Sequence, residues 1–170
     1  MSLLSKQRNN IILIGMPGAG KSTIGVVLAK RLGYHFMDCD LLIQDATKKR
    51  LFEIIAESGT DGFLRIEEET ICSIETEGTV IATGGSAVYG KSAIRHLKET
   101  GIAVYLQLSC QEISERLGDL EKRGVTLKEG QTLSDLYTER VPLYEEAADV
   151  TLSCSGKEIR EIVSELEEIL

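Results

Sequence analysis

Tryptophan is absent from this 170-residue chain, and aromatic residues make up only 5% of it. Positive charge is also short. Nineteen Lys and Arg face 27 Asp and Glu, for a net charge of −8. A chain this acidic, with so few stacking rings, lacks the basic face that nucleic-acid binding requires, so no nucleic-acid partner is expected. The four cysteines, Cys39, Cys72, Cys110 and Cys154, are scattered, with no C-x-x-C and no zinc spacing. They read as reduced thiols of a cytoplasmic protein. The two histidines, His35 and His96, stand alone and read as surface or internally satisfied side chains rather than ligands. No apolar run approaches membrane-spanning length, so no membrane partner is expected. Residues 1–10 are polar and carry no apolar signal core, so no secretion signal is expected. Internal repeats and low-complexity segments are lacking too.

What remains is an ordinary globular composition, 42% hydrophobic and 27% charged, and a length that fits one domain with a proper core. Short apolar runs alternate with helical patterns. Strands are expected over residues 10–15, 34–38, 79–83, 102–108 and 149–154. Helices are expected over 21–32, 41–49, 51–56, 61–77, 91–99, 111–117, 132–147 and 157–170. The helix over 61–77 is expected to present Phe63, Ile66, Thr70 and Ile74 along one face, and that over 132–147 to break or kink near Pro142. Such alternation implies an α/β fold of three α/β/α layers around a five-stranded parallel sheet, with ligands at the carboxyl ends of the strands. Residues 118–131 have no apolar period, mix Glu, Lys, Arg and Gly, and read as a mobile lid.

The most specific motif is Gly15-Met16-Pro17-Gly18-Ala19-Gly20-Lys21-Ser22, which lies between the apolar run Ile11–Ile14 and a helical pattern. Strand, glycine loop and helix is the context of a phosphate-binding loop. The glycines let backbone N–H groups turn inward around a phosphate, and the new helix adds its positive end. Gly15, Gly18, Ala19, Gly20, Lys21, Ser22 and Thr23 are the candidate cradle. Lys21 is placed to reach the outer phosphates and Ser22 to hold Mg²⁺ through its hydroxyl.

Two further segments follow expected strands. Asp38 and Asp40, at strand spacing, project the same way while Cys39 points opposite. One carboxylate can serve Mg²⁺ and the other can accept a hydrogen bond from an alcohol. Capping of the next helix is an alternative role for Asp40. Gly84-Gly85 would let a substrate approach the backbone closely. The run Glu67-Glu68-Glu69 reads mostly as a solvated helix face. Arg116, Arg123 and Arg140 are candidate charge clamps beside the lid.

Together, G-x-x-G-x-G-K-S-T, D-x-D, F-x-R-I-E, G-G, a lid arginine and R-x-P-L-Y-x-x-x-A-D resemble the shikimate kinase family over residues 11–150. The resemblance implies a P-loop kinase fold similar to nucleoside monophosphate kinases, with a mobile lid over about 118–131 and acceptor-binding helices over about 41–77. It implies transfer of the γ-phosphate of ATP, with Mg²⁺, to the 3-hydroxyl of shikimate by a single-domain cytoplasmic protein, expected to be a monomer. Residue by residue, Lys21 and Ser22 match the phosphate lysine and the Mg²⁺ serine, and Asp38 matches the aspartate near Mg²⁺. Asp40 matches the aspartate that holds the substrate hydroxyls. Gly84 and Gly85 match glycines beside shikimate. Arg116 matches the arginine over adenine, Arg123 the lid arginine, and Arg140 a carboxylate-binding arginine.

Three positions depart from the family pattern. Leu64 stands where F-R-x-x-E has its arginine, Ser86 where a third glycine stands, and Arg123-Gly124-Val125-Thr126 where the lid usually reads R-P-L-L. Arg65, next to Leu64, is a candidate replacement for the missing carboxylate contact. Because all three lie on the acceptor or lid side, two alternatives stay open at this point. One is a related kinase for another hydroxy acid, such as homoserine; the other is an ATP-binding protein without catalytic activity.

Overall fold

The structure, a computed structural model, describes residues 3–5, 7–118, 125 and 127–170. Its elements run β1 (Asn10–Ile14), α1 (Lys21–Leu32), β2 (His35–Asp38), α2 (Cys39–Thr47), α3 (Leu51–Cys72), β3 (Thr79–Ala82), a short 3-10 turn (Ala87–Tyr89), α4 (Lys91–Thr100), β4 (Gly101–Gln107), α5 (Cys110–Arg116), α6 (Leu133–Ala147), β5 (Val150–Ser153) and α7 (Ile159–Ile169). The five strands form one parallel sheet in the order β2-β3-β1-β4-β5. This is the α/β architecture expected from the alternation. Among the described residues, no helix is long and apolar enough to cross a membrane.

β1 and β3 are buried at every position. Strands covered on both faces must be apolar throughout, which is why the Ile11–Ile14 run has no polar alternation. Leu13 pairs with Ala82 on one side and Val104 on the other, so β1 is central and its exit loop opens between two neighbours. The chain leaves β1 toward the β3 side and later returns to the β4 side. Ligands of doubly wound sheets bind where the strand order reverses in this way. Leu28, Leu97, Val163 and Leu166 from α1, α4 and α7 close the main core. A second, smaller core of Ile43, Ile54 and Phe63 ties α2 to α3, with Leu51 and Leu64 packed against it.

Four details differ from the sequence expectation. The two helices expected over 51–56 and 61–77 are one helix, α3, that bends at Gly59, where φ is 70° and ψ 177°. α3 ends at Cys72, not residue 77. Its fully buried stripe is Phe63, Glu67 and Ile71, at i, i+4 and i+8; Ile66 and Thr70 are only half-buried. The acidic run is therefore not simply a solvated face, because Glu67 points inward. Finally, α6 runs through Pro142 as one helix, so the chain is not interrupted there.

Candidate active site

The loop after β1 takes conformations that only glycine adopts readily. Gly18 and Gly20 have φ of 80° and 89°, and Gly20 caps α1 in the left-handed region. The chain thereby wraps the N-terminus of α1 and leaves room for an anion beside its first amides. Lys21 Nζ folds back over this loop and donates to the carbonyls of Gly15 at 2.7 Å and Met16 at 2.8 Å. Burial lowers its pKa to about 8, with Arg140 adding to the effect and Asp40, Asp38 and Glu67 opposing it. A buried ammonium whose hydrogen bonds, among the described residues, go to two carbonyls gains strongly from an incoming phosphate.

At the mouth of the loop, Ser22 Oγ donates to Asp38 Oδ2 at 2.5 Å. The other carboxylate oxygen, Oδ1, accepts from the amides of Asp40 at 2.9 Å and Leu41 at 3.3 Å, which makes Asp38 the N-cap of α2. The expected strand-like pair is thus corrected. β2 ends at Asp38 and the helix starts at Cys39, so the capping residue is Asp38 and Asp40 sits in the first turn. A hydroxyl and a carboxylate side by side are hard oxygen donors of the kind Mg²⁺ takes alongside phosphate oxygens. Ser22 and Asp38 fit that ion.

Behind the glycines of the β3 exit lies a cluster of acids. A Cβ at Gly84 would stand 2.6 Å from Glu67 Oε1 and 2.9 Å from Asp40 Oδ1, so only glycine lets both carboxyls approach the backbone there. Burial and the nearby Asp38 raise the pKa of Asp40, while Lys21 lowers it. Glu67 is 2% exposed, and burial pushes its pKa up to about 7 against the hydrogen bond from Ser86. Ser86 Oγ donates to Glu67 Oε2 at 2.6 Å; among the described residues, Oε1 has no hydrogen-bond partner.

Arg140 reaches this region from α6. It is 1% exposed, its guanidinium lies 5.2 Å from the centroid of the Tyr89 ring, and its Nε donates to Tyr89 Oη at 3.3 Å. Its Nη1 lies 3.0 Å from where a Gly85 Cβ would stand. Tyr144, one turn further along α6, donates to the Gly85 carbonyl at 2.6 Å and stacks on Tyr105. The glycine pair is therefore anchored to α6.

These parts meet in one cleft of about 270 Å³. Its lining includes Gly18, Gly20, Lys21, Ser22 and Thr23 from the loop and α1, Asp40 from α2, Gly84, Gly85 and Ser86 after β3, and Arg140 from α6. Leu51, Phe63, Leu117 and Val125 supply apolar wall. Gly15 and Ala19 lie buried beneath the loop, and Asp38 borders the cleft through Ser22. Arg116 stands at the rim, its Nη1 3.4 Å from the Gly18 carbonyl. Arg65 is exposed on α3 and does not line the cleft, and Leu64 packs into the smaller core instead. Arg123 and half of the expected lid, residues 119–124 and 126, lie outside the described residues. Sequence reasoning missed the inward turn of Glu67, although its position four residues after Phe63 carried the signal.

A parallel α/β sheet with a phosphate cradle, a hydroxyl–carboxylate pair, a sheltered aspartate and a buried arginine in one cleft defines a P-loop kinase of small molecules. The family model for shikimate kinase matches residues 17–170. A shikimate kinase of Haemophilus influenzae is 36% identical over 169 residues, which cover 96% of this chain and 93% of that relative. Among solved structures, shikimate kinase from Acinetobacter baumannii in complex with shikimate aligns with a TM-score of 0.85 at 32% identity, covering 95% of this chain and 92% of that one. Shikimate kinase from Aquifex aeolicus aligns with a TM-score of 0.81 at 28% identity, covering 94% of each chain. The chain belongs to the shikimate kinase family. These relatives lend no support to a homoserine kinase or to a non-catalytic ATP-binding protein.

Proposed function

We propose that the protein transfers the γ-phosphate of ATP to the 3-hydroxyl of shikimate, giving shikimate 3-phosphate and ADP. The observation that carries this reading is the arrangement of Asp40 and Arg140 in the cleft that also holds Lys21 and Ser22. One end can bind a triphosphate; the other offers a carboxylate that can accept a hydroxyl proton and a guanidinium that can hold a carboxylate.

Each residue then has a physical task. The loop amides and Lys21 neutralise phosphate charge, which is most of what phosphoryl transfer needs from a protein. Ser22 and Asp38 would hold Mg²⁺, which would supply charge neutralisation at the phosphates. Asp40 accepts a hydrogen bond from the acceptor hydroxyl and takes its proton as that oxygen bonds to phosphorus and ADP leaves. Gly84 and Gly85 let the acceptor ring lie against the backbone. Arg140 grips the ring carboxylate. By the family resemblance, Arg116 at the rim would face the adenine and Arg123 would complete the charge over the phosphates. The four cysteines are free thiols, which supports a reduced, cytoplasmic setting.

ADP formation measured against a panel of shikimate, gluconate, homoserine and nucleoside monophosphates tests the proposal. Shikimate should be the preferred acceptor. Equal or greater turnover with another member would overturn the assignment.

A further inference from the structure

Arg140 is held by a chain of hydrogen bonds that leads away from the cleft. Its Nε donates to Tyr89 Oη at 3.3 Å. Tyr89 Oη in turn donates to Glu139 Oε1 at 2.6 Å. Glu139 Oε2 accepts from Gln131 Nε2 at 3.1 Å, and Lys128 Nζ lies 3.6 Å from Oε1. Neither Tyr89 nor Glu139 lines the cleft.

The polarity of this chain is fixed. A phenol has one proton, and Tyr89 gives it to a carboxylate. Toward Arg140, Tyr89 can then only accept, and an oxygen whose proton is drawn to a carboxylate is a better acceptor. Glu139 and Arg140 are consecutive on α6, so their side chains diverge by about 100° around the helix and do not face each other. Tyr89 is the bridge that carries the glutamate's influence to the guanidinium. It holds one edge and one face of the fork, through Nε and through the ring. The Nη1 corner lies toward Gly85 and the cleft. A guanidinium binds a carboxylate well only when its plane is correctly turned.

We propose that Tyr89 and Glu139 are positioning residues that fix the plane of Arg140 and so set the affinity for the acceptor's carboxylate without touching the acceptor. This inference rests on the reading of Arg140 as the carboxylate ligand. It also assigns a task to the 3-10 turn. By linking the segment after Gly84-Gly85 to α6, the turn places the ring platform and the arginine in register.

The test is steady-state kinetics on Y89F, E139A and E139Q, each checked for folding by circular dichroism. Y89F keeps the ring but loses the bridging hydroxyl. E139A removes the acceptor of the tyrosine proton. E139Q keeps an oxygen for Tyr89 and so should fall between E139A and the parent. The expected result for Y89F and E139A is an acceptor KM raised about tenfold, the scale of one weakened charge-assisted hydrogen bond. The kcat and the ATP KM should change by less than about twofold. With an acceptor analogue whose carboxylate is replaced by an uncharged group, the same variants should show no further loss, which general loosening of the site would not produce. R140A separates the two levels of the argument. An unchanged acceptor KM in R140A would remove the premise and the inference together. A raised KM in R140A with an unchanged KM in Y89F and E139A would overturn the positioning role alone. If E139A does not fold, Y89F decides the matter.

Discussion

Ser86 Oγ donates a 2.6 Å hydrogen bond to Oε2 of Glu67, and it is the only hydrogen bond to that buried carboxyl among the described residues. Two departures from the family pattern meet here. Leu64 occupies the arginine position three residues before Glu67, and residues at i and i+3 are neighbours on a helix. An arginine at 64 would have stood within reach of Glu67. In this chain leucine packs into the smaller core, and a serine in place of the third glycine supplies the donor. Among the described residues, Arg140 is then the guanidinium that lines the cleft.

The state of Glu67 should be visible in stability. Its pKa is raised from 4.5 to about 7 on folding, chiefly by burial. Below pH 4.5 the group is protonated in both states. Between 4.5 and 7 the folded protein holds a proton that the unfolded chain has lost, so stability falls as pH rises through that window. E67Q has no such proton to lose and should gain on the parent by roughly 2–3 kcal/mol between pH 5 and pH 8. Parallel urea titrations at the two pH values would measure it, and a pH-independent difference would contradict the buried acid.

Removing the serine hydroxyl should expose the same cost. S86G deletes the donor to Glu67 and leaves a buried carboxyl without a partner, a loss of about 1–3 kcal/mol. The loss should be larger at pH 8 than at pH 5, since the ionised form needs the donor more. Urea midpoints unchanged at both values would show that water replaces Ser86.

K21A tests the phosphate cradle. Lys21 holds its own loop through two carbonyls and is surrounded by Asp38, Asp40 and Glu67. Its removal should leave circular dichroism intact while turnover drops by about 10²–10³, the scale of losing one preorganised charge contact. Near-normal turnover from the folded variant would remove Lys21 from the reaction.

L64R restores the family pattern. Leu64 is half-buried in the smaller core, so the substitution should cost about 1 kcal/mol of stability. If the new arginine reaches the carboxylate, the shikimate KM should fall by about tenfold. A KM that stays level would show that Arg140 and its supports already saturate that contact.

The central layers were legible because their residues serve one purpose each. A run such as Ile11–Ile14 has no polar position to spare, and Gly18 and Gly20 announce a loop that no other residue could form. The acceptor side was harder because its residues serve two. Asp38 is both a cap and a neighbour of Ser22, and this moved Asp40 off the strand and into the first helical turn. Glu67 was concealed by the two acids that follow it, yet it shares its buried stripe with Phe63 and Ile71. Tyr89 carries no motif, and its place beside Arg140 depends on how the 3-10 turn meets α6, a relation that chain spacing does not contain.

The most direct test of the account follows phosphorus itself. Protein, ATP, Mg²⁺ and shikimate are incubated together and followed by ³¹P NMR. The account predicts that the γ-phosphate resonance of ATP disappears while ADP and one new phosphomonoester, carried on the shikimate 3-hydroxyl, appear in equal amounts. ADP accompanied only by inorganic phosphate, or ATP that persists beside unaltered shikimate, would contradict it.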